Sequence, residues 1–275
     1  MGRKNTRIVT KEDLSGESEQ LRYTEELDRD DERSRRTCSL FTPGADAPVS
    51  ELELVPFRCR VGEAVVYAEG FAGVSTRPEH RGKGYIRLLF RRAMESIRTR
   101  SNLAFLYGIE GLYGKFGFVS SLSESSMKVW IRRLPAAPEP GHRAVSVRRD
   151  HADRQTELAH VVSLYNEIHR LRPWTHVRDE STVAKLAEES SWRPAPETVL
   201  IYRGDAPVAY SLYPARTYGQ TRREFVVAEA GAVDAAAARA LLFELGGRCR
   251  EADLSELTIQ EPEDGAVGIV ARALG

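Results

Sequence analysis

The chain has 275 residues, 41% hydrophobic and 29% charged, and its 40 Lys and Arg balance 40 Asp and Glu. This is the composition of a soluble globular protein with room for one large domain or two ordinary ones. Zero net charge gives no global pull toward nucleic acid or an anionic membrane, although it permits a local basic pocket. The N-terminal MGRKNTRIVTKEDL lacks the apolar core of a signal peptide, and no apolar run approaches the ~20 residues of a membrane span, so a cytoplasmic protein is expected. Cys38, Cys59 and Cys249 are far apart and odd in number, which fits reduced thiols. No Cys or His pair has metal-ligand spacing, His160 and His169 included, so no metal is expected.

Residues 6–9 read as a short opening strand. Residues 12–36 read as an exposed helix, because Glu25, Glu26, Asp28, Asp30, Asp31 and Glu32 alternate with Arg29, Arg33, Arg35 and Arg36 at three- and four-residue offsets. Such a helix is either a solvated face or an acidic flap that attracts a cationic substrate. Residues 37–41 suggest a strand, 42–48 a turn, and 51–61 a strand with Leu52, Leu54 and Pro56 on one face. A further strand, 64–76, contains Gly70 and Gly73, which mark a bulge or a close backbone approach. After Pro78 and a basic Gly-rich turn, Ile86, Leu89, Phe90, Ala93, Met94 and Ile97 recur at helical spacing. Residues 103–107 read as a buried strand, 112–116 as one helical turn, and 118 onward and 127–131 as two closing strands. The Pro-rich stretch 135–141 reads as a linker between domains 1–134 and 142–275.

The second half repeats this order: a strand at 144–147, helices at 153–169 and 181–190, a hairpin of 198–202 and 207–213 around Gly204-Asp205, a strand at 225–230, a helix capped by Asp234, a strand at 257–260 and a last helix at 263–274. It reads as an internal duplication of architecture.

Arg81-Gly82-Lys83-Gly84 stands at a strand-to-helix turn. Glycines let backbone N–H groups converge, the helix start adds partial positive charge, and Arg81 and Lys83 add full charges; together they suit a pyrophosphate. The turn is not a P-loop, since Gly84 stands where a hydroxyl ligand for magnesium belongs, and it lacks the third glycine and acidic residue of a dinucleotide fingerprint.

Glu79-His80-Arg81-Gly82-Lys83-Gly84 resembles the Gln/Arg-x-x-Gly-x-Gly/Ala cofactor motif of the GCN5-related N-acetyltransferase (GNAT) superfamily. Glu79 departs from the usual first residue, while both glycines fit. The family's tyrosine, four residues before a Gly-Phe pair, is matched by Tyr113-Gly114-Lys115-Phe116-Gly117-Phe118. The run from Glu110 to Phe118 looks like that of the Eis-type acetyltransferases, which join a catalytic domain to a degenerate one. The sequence stops at Gly275, so their sterol-carrier-like third domain is expected to be missing.

The resemblance implies an α/β protein of two tandem GNAT folds, each a mixed, mostly antiparallel sheet flanked by helices. It implies acetyl transfer from acetyl-CoA to a small-molecule or peptide amine, with no nucleic-acid or membrane partner. Eis-type enzymes assemble, which leaves a homo-oligomer open. Val74, Ser75 and Thr76 would bind the pantetheine arm and acetyl carbonyl, and Arg81, Gly82, Lys83, Gly84, Tyr85, Ile86 and Arg87 the pyrophosphate. Tyr113 is the candidate general acid, against the alternative of a core aromatic beside Phe116 and Phe118. Glu110 and Glu69 are alternative bases, each equally readable as a structural carboxylate, and a water chain is a third option. The second half has Glu229-Ala230-Gly231-Ala232-Val233-Asp234 at the equivalent turn, without Arg or Lys, and no Tyr-x-x-x-Gly-Phe. It is expected to wall an acceptor pocket, with Trp174, Trp192 and Tyr213 as candidate lining or as core. The rival reading of the whole is a CoA-binding sensor without turnover.

Overall fold

A computed structural model describes residues 7–15, 20–28, 34–108, 111–121, 125–148, 150–187, 196–214 and 224–274. Packing divides the chain into two units, one of residues 1–121 with 172–177, the other of 122–171 with 178–275. The Pro-rich stretch 135–141 lies inside the second unit.

The first unit is an antiparallel meander of β1 (Arg7–Ser15), β2 (Gln20–Leu27), β3 (Arg36–Phe41), β4 (Ser50–Val61) and β5 (Ala64–Thr76), followed by α1 (Tyr85–Ile97) and β6 (Leu103–Leu106). β6 runs parallel to β5. The apolar stripe of α1, with Leu89, Phe90 and Ala93 fully buried, packs on Leu40, Leu52, Leu54 and Phe71 of one sheet face. That stripe is the helical periodicity read from the sequence, now given its partner.

The second unit takes β7 (Met127–Trp130), β8 (His142–Val147) and α2 (Arg154–Ile168). The short β9 (His176–Val177) belongs to the first unit, where it pairs with β4. The second unit continues with α3 (Glu180–Ala187), β10 (Pro196–Arg203), β11 (Ala206–Pro214), β12 (Glu224–Val227), β13 (Glu229–Ala232), α4 (Ala235–Glu251), β14 (Glu256–Ile259) and α5 (Ala266–Leu274). Its main sheet has the order β13-β11-β10-β8 and is covered on both faces. Val199 and Ile201 of β10 join the core built around α4, while Leu200 and Tyr202 join that of α2 and α3. β12 and β13 are one run of chain interrupted at Ala228. β13 pairs with β11, and β12 pairs in parallel with β14. The succession β5–α1–β6 therefore recurs as β12/β13–α4–β14: a strand that divides its pairing, a crossover helix, and a parallel strand. This is the duplicated α/β architecture expected from the sequence.

Three expectations are corrected. Residues 12–36 are not a helix: β1 and β2 cover 12–15 and 20–27 of that span, and β3 begins at its end. The charge spacing that suits a helix also admits alternation, and Leu21, Tyr23, Glu25 and Leu27 all point into the core. Glu25 is tolerated there because Arg36 donates to it at 2.8 Å, Ser96 at 2.7 Å and Tyr23 at 3.2 Å. Residues 118–121 form no strand, and β7, read as closing the first half, pairs antiparallel with β14 of the second unit. Finally, Asp234 is offset by a cation: Arg203 donates to both its oxygens, at 3.0 and 2.8 Å.

Truncating one partner of a buried ion pair strands the other in a medium that solvates it poorly. Glu25→Ala should therefore cost about 3–5 kcal/mol in urea or thermal unfolding. Asp234 caps α4 by accepting from the Ala237 N–H at 2.8 Å, and that hydrogen bond, then the Arg203 contact, holds its carboxyl below the ordinary carboxylate pKa. A depressed folded-state pKa contributes stability at pH values above the unfolded carboxylate pKa, and that contribution is lost as pH falls through the folded value. Asp234→Ala should cost about 1 kcal/mol at neutral pH. The difference from the parent should shrink in denaturation curves taken at progressively acidic pH.

Candidate active site

β5 is hydrogen-bonded to β4 along its length but to β6 only over Ala68–Phe71. Among the described residues no strand pairs with 72–76 on the β6 side, so backbone groups there open into a cleft. At the mouth of the cleft the β4–β5 register slips: Glu51 faces Ser75 while Glu53 faces Ala72. Gly73 absorbs the extra residue at φ +58°, a left-handed conformation that only glycine adopts without strain. This is the bulge for which the glycines inside the strand were a signal. Val74 packs on the core, Ser75 is exposed, and the Ser50 hydroxyl lies 2.9 Å from both the Ser75 carbonyl and the Thr76 hydroxyl. The sequence-selected residues Val74, Ser75 and Thr76 therefore form the open edge itself.

A 3-10 turn at Pro78–His80 carries the chain from β5 to α1. Gly82 and Gly84 both have positive φ, +77° and +78°, and a Cβ built on either would meet nothing within 4 Å. The space beyond the turn is open. Gly84 is the N-cap of α1 and offers no side chain to the helix's first N–H groups, while the Arg87 and Leu88 N–H groups both turn back to its carbonyl. Arg81, Lys83 and Arg87 are exposed around this point, with Arg81 Nε 3.3 Å from the Thr76 carbonyl. Tyr85 is buried, with Lys83 Nζ 5.9 Å and the His80 ring 6.1 Å from its ring centre, and Ile86 packs on the core.

Tyr113 opens a second 3-10 turn, Tyr113–Phe116, ended by Gly117 at φ +89°. Its ring lies 5.6 Å from Phe90 and 6.4 Å from Phe118, edge-on to the latter. Among the described residues its hydroxyl has no hydrogen-bond partner. The ring is seated by a residue the sequence reading passed over: a Cβ on Gly108 would fall 2.2 Å from Tyr113 Cε2 and 2.8 Å from Leu106 Cδ1. A glycine directly after an apolar strand was the available signal.

Glu69 is 2% exposed, and its Oε1 accepts from Arg100 Nε at 3.0 Å and Ser101 Oγ at 3.2 Å. Both donors follow the last turn of α1, at the end opposite the Gly-rich turn. Glu69 Oε2 is buried without a partner. Glu110 lies outside the described residues, as does Trp192. Trp174 belongs to the first unit, edge-on to Phe105, and Tyr213 is buried in the core of the second.

Between α1 and the Tyr113 turn runs a groove of about 350 Å³ lined by Arg87, Phe90, Arg91, Met94, Glu95, Arg98, Lys115 and Phe116. No group of His, Cys, Asp and Glu able to hold a metal occurs among the described residues.

These features agree with the known proteins that the chain resembles. Residues 17–120 match the model of the acetyltransferase (GNAT) domain. No curated protein sequence matches the chain. Among solved structures, a GCN5-related N-acetyltransferase from Anabaena variabilis superposes with TM-score 0.68 at 16% identity, over 86% of this chain and 58% of the other. A probable N-acyltransferase from Enterococcus faecalis gives 0.67 at 14%, over 82% and 54%. Eis1 from Mycobacterium abscessus gives 0.59 at 18%, over 85% and 58%. The chain thus spans little more than half the length of these proteins, and at such identities they share its fold. The GNAT architecture expected from the sequence is the one observed. Among the described residues no helix is long and apolar enough to cross a membrane.

Overpacking a filled site typically costs about 1–3 kcal/mol. Gly108→Ala should lower stability by about that amount in thermal unfolding and shift the near-ultraviolet circular dichroism of the Tyr113–Phe90–Phe118 cluster. An unchanged melting temperature would mean that the ring is not held on this glycine.

Proposed function

We propose that the chain is an N-acetyltransferase that moves an acetyl group from acetyl-CoA to an amine, with one working site, in its first unit. The observation that carries this reading is the coincidence of three openings: the unpaired edge 72–76, the uncapped start of α1, and the Tyr113 turn beside them. The open space over Gly82 and Gly84 and the cations at 81, 83 and 87 fit a pyrophosphate, so the residues present suit CoA. When bound, acetyl-CoA supplies the thioester.

The N–H groups at the start of α1 and the guanidinium of Arg81 hold the pyrophosphate. The edge of β5 at Val74–Thr76 orients the pantetheine amides and directs backbone N–H groups at the acetyl carbonyl, where preorganised donors act on developing negative charge. Tyr113 donates its phenolic proton to the departing sulfur; a hydroxyl with no protein partner among the described residues is available for that. The amine must lose a proton. The engagement of Glu69 with Arg100 and Ser101 supports a role in holding the α1–β6 junction. That favours Glu110, or water relayed to it, as the acceptor of the amine proton.

The second unit serves as a degenerate partner. Its equivalent helix start already carries a carboxylate, Asp234, at the place where a phosphate would sit.

A thiol-release assay with acetyl-CoA across a panel of aminoglycosides, polyamines, peptides and small amines tests the activity. Tyr113→Phe should lower turnover about 100-fold or more while leaving thermal stabilisation by CoA intact. Unchanged turnover would remove Tyr113 from the acid role, and stabilisation by CoA with no acceptor acetylated would point to a sensor.

A further inference from the structure

The face of the first sheet opposite α1 carries an aromatic cluster that the CoA site does not use. Leu54, Phe71 and Leu106 turn to the core under α1, so the neighbouring strand residues turn away from it. On that far face the Phe57 ring lies 5.7 Å from Phe105, His176 stacks on Phe57 at 4.1 Å, and Trp174 meets Phe105 edge-on at 6.3 Å. Gly70 sits beside them: a Cβ built on it would lie 3.8 Å from Phe57 Cε1, a position that glycine leaves unfilled. Phe57 and Phe105 are half-buried, and Trp174 is 43% exposed. Trp174 also has φ +65°, which a bulky side chain adopts only where its surroundings enforce it. The enforcing contacts come from Arg60, itself buried. Its carbonyl accepts from the Trp174 N–H at 2.7 Å and its N–H donates to the Thr175 carbonyl at 2.9 Å. Its guanidinium donates to Thr175 Oγ1 at 3.3 Å and to the His176 carbonyl. A buried arginine thus holds a strained backbone so that an indole ring stands at the surface beside Phe105. Strain of this kind concentrates at ligand sites.

The α1 side of the open edge is filled: Phe71, Phe90, Phe116 and Phe118 pack together there. Gly73 and Ser75 are exposed, so a second substrate meets the edge from the far face. Gly70 and Phe105 are the last pair on that face before β5 and β6 part, two residues or about 7 Å along the strand from Ala72. A short alkyl spacer between an amine and a ring covers that distance. In the other direction along β4 stand Glu51 and Glu53, already engaged by Ser39 at 3.4 Å and by Arg35 at 3.1 Å. An acceptor that extends from the edge toward Phe105 therefore meets rings and not carboxylates. We propose that Phe105 and Trp174 receive the body of the acceptor, and that this body is aromatic, so that the chain acetylates arylalkylamines in preference to polycationic amines. This rests on the reading of the first unit as an acetyltransferase site. Two rings already set edge-on leave a third the offset or edge-to-face contacts that aromatic groups favour.

The test is thiol release from acetyl-CoA by the full chain with phenethylamine, hexylamine, spermidine and kanamycin as acceptors. The parent should show kcat/KM for phenethylamine at least tenfold above that for each of the others. Trp174→Gly removes the ring and relieves the positive φ, so loss of fold does not confuse the result. It should raise KM for phenethylamine severalfold, with a smaller effect on hexylamine and with thermal stabilisation by CoA unchanged. Trp174→Phe should keep most of the preference. Trp130→Ala, which removes a similarly exposed indole from β7, should keep all of it. Spermidine or kanamycin used as well as phenethylamine overturns the proposal, as does a preference untouched in Trp174→Gly or an equal loss with every acceptor. Those results would leave the acetyltransferase reading standing. Failure of every amine to release thiol would instead sink both readings.

Discussion

Between Ala68 and Phe71 the backbone of β5 is paired with strands on both sides; from Ala72 onward, among the described residues, it is paired on one. Residues 72–76 are half-buried or exposed, so water reaches their free backbone groups and a ligand with amide or carbonyl groups could take its place. The rest of the first unit follows from that constraint. Gly73 bends the strand at the point of separation, and α1 crosses over to bring β6 in parallel for four residues. The crossover puts the start of α1 beside the open edge. The turn carrying Tyr113 packs on Phe90, in the middle of the same helix, so its position is tied to that of the Gly-rich turn.

The second unit shows the same plan with the opening closed. β12 and β13 divide their pairing between two sheets, where β5 keeps β4 and β6 in one, and Asp234 caps the following helix while Arg203 neutralises it. One architecture carries an open, glycine-capped helix start in one copy and an internally satisfied one in the other. The difference lies in one residue at the N-cap, glycine against aspartate, and in the charges around it.

Much of this was legible in the sequence because it is local. The bounds of β5, the helix after Gly84, the hairpin around Gly204 and the Asp234 cap each follow from residues within a few positions of one another. What was hidden is non-local. The end of β1 and all of β2 were misread as a helix because Glu25, one of the residues that make the segment look solvated, is compensated by Arg36 across the sheet and by Ser96 far along the chain. The seat of Tyr113 on Gly108 needed the third dimension, since neither residue announces the other. So did the groove: Arg87, Arg91 and Arg98 lie on one face by helical arithmetic, but Lys115 joins them only through the packing of Phe116 on Phe90.

The carboxylate of Asp234 has a consequence for how the second unit evolves. It is a permanently tethered competitor. Because it is held on the chain at the helix start, its effective concentration there is about millimolar or more, and dissolved phosphate would have to displace it against that excess. Recovering an anion site in this unit would thus take loss of a residue as well as gain of cations, and the loss alone weakens the helix. An anion at this helix start would therefore come at the cost of the cap's contribution to stability.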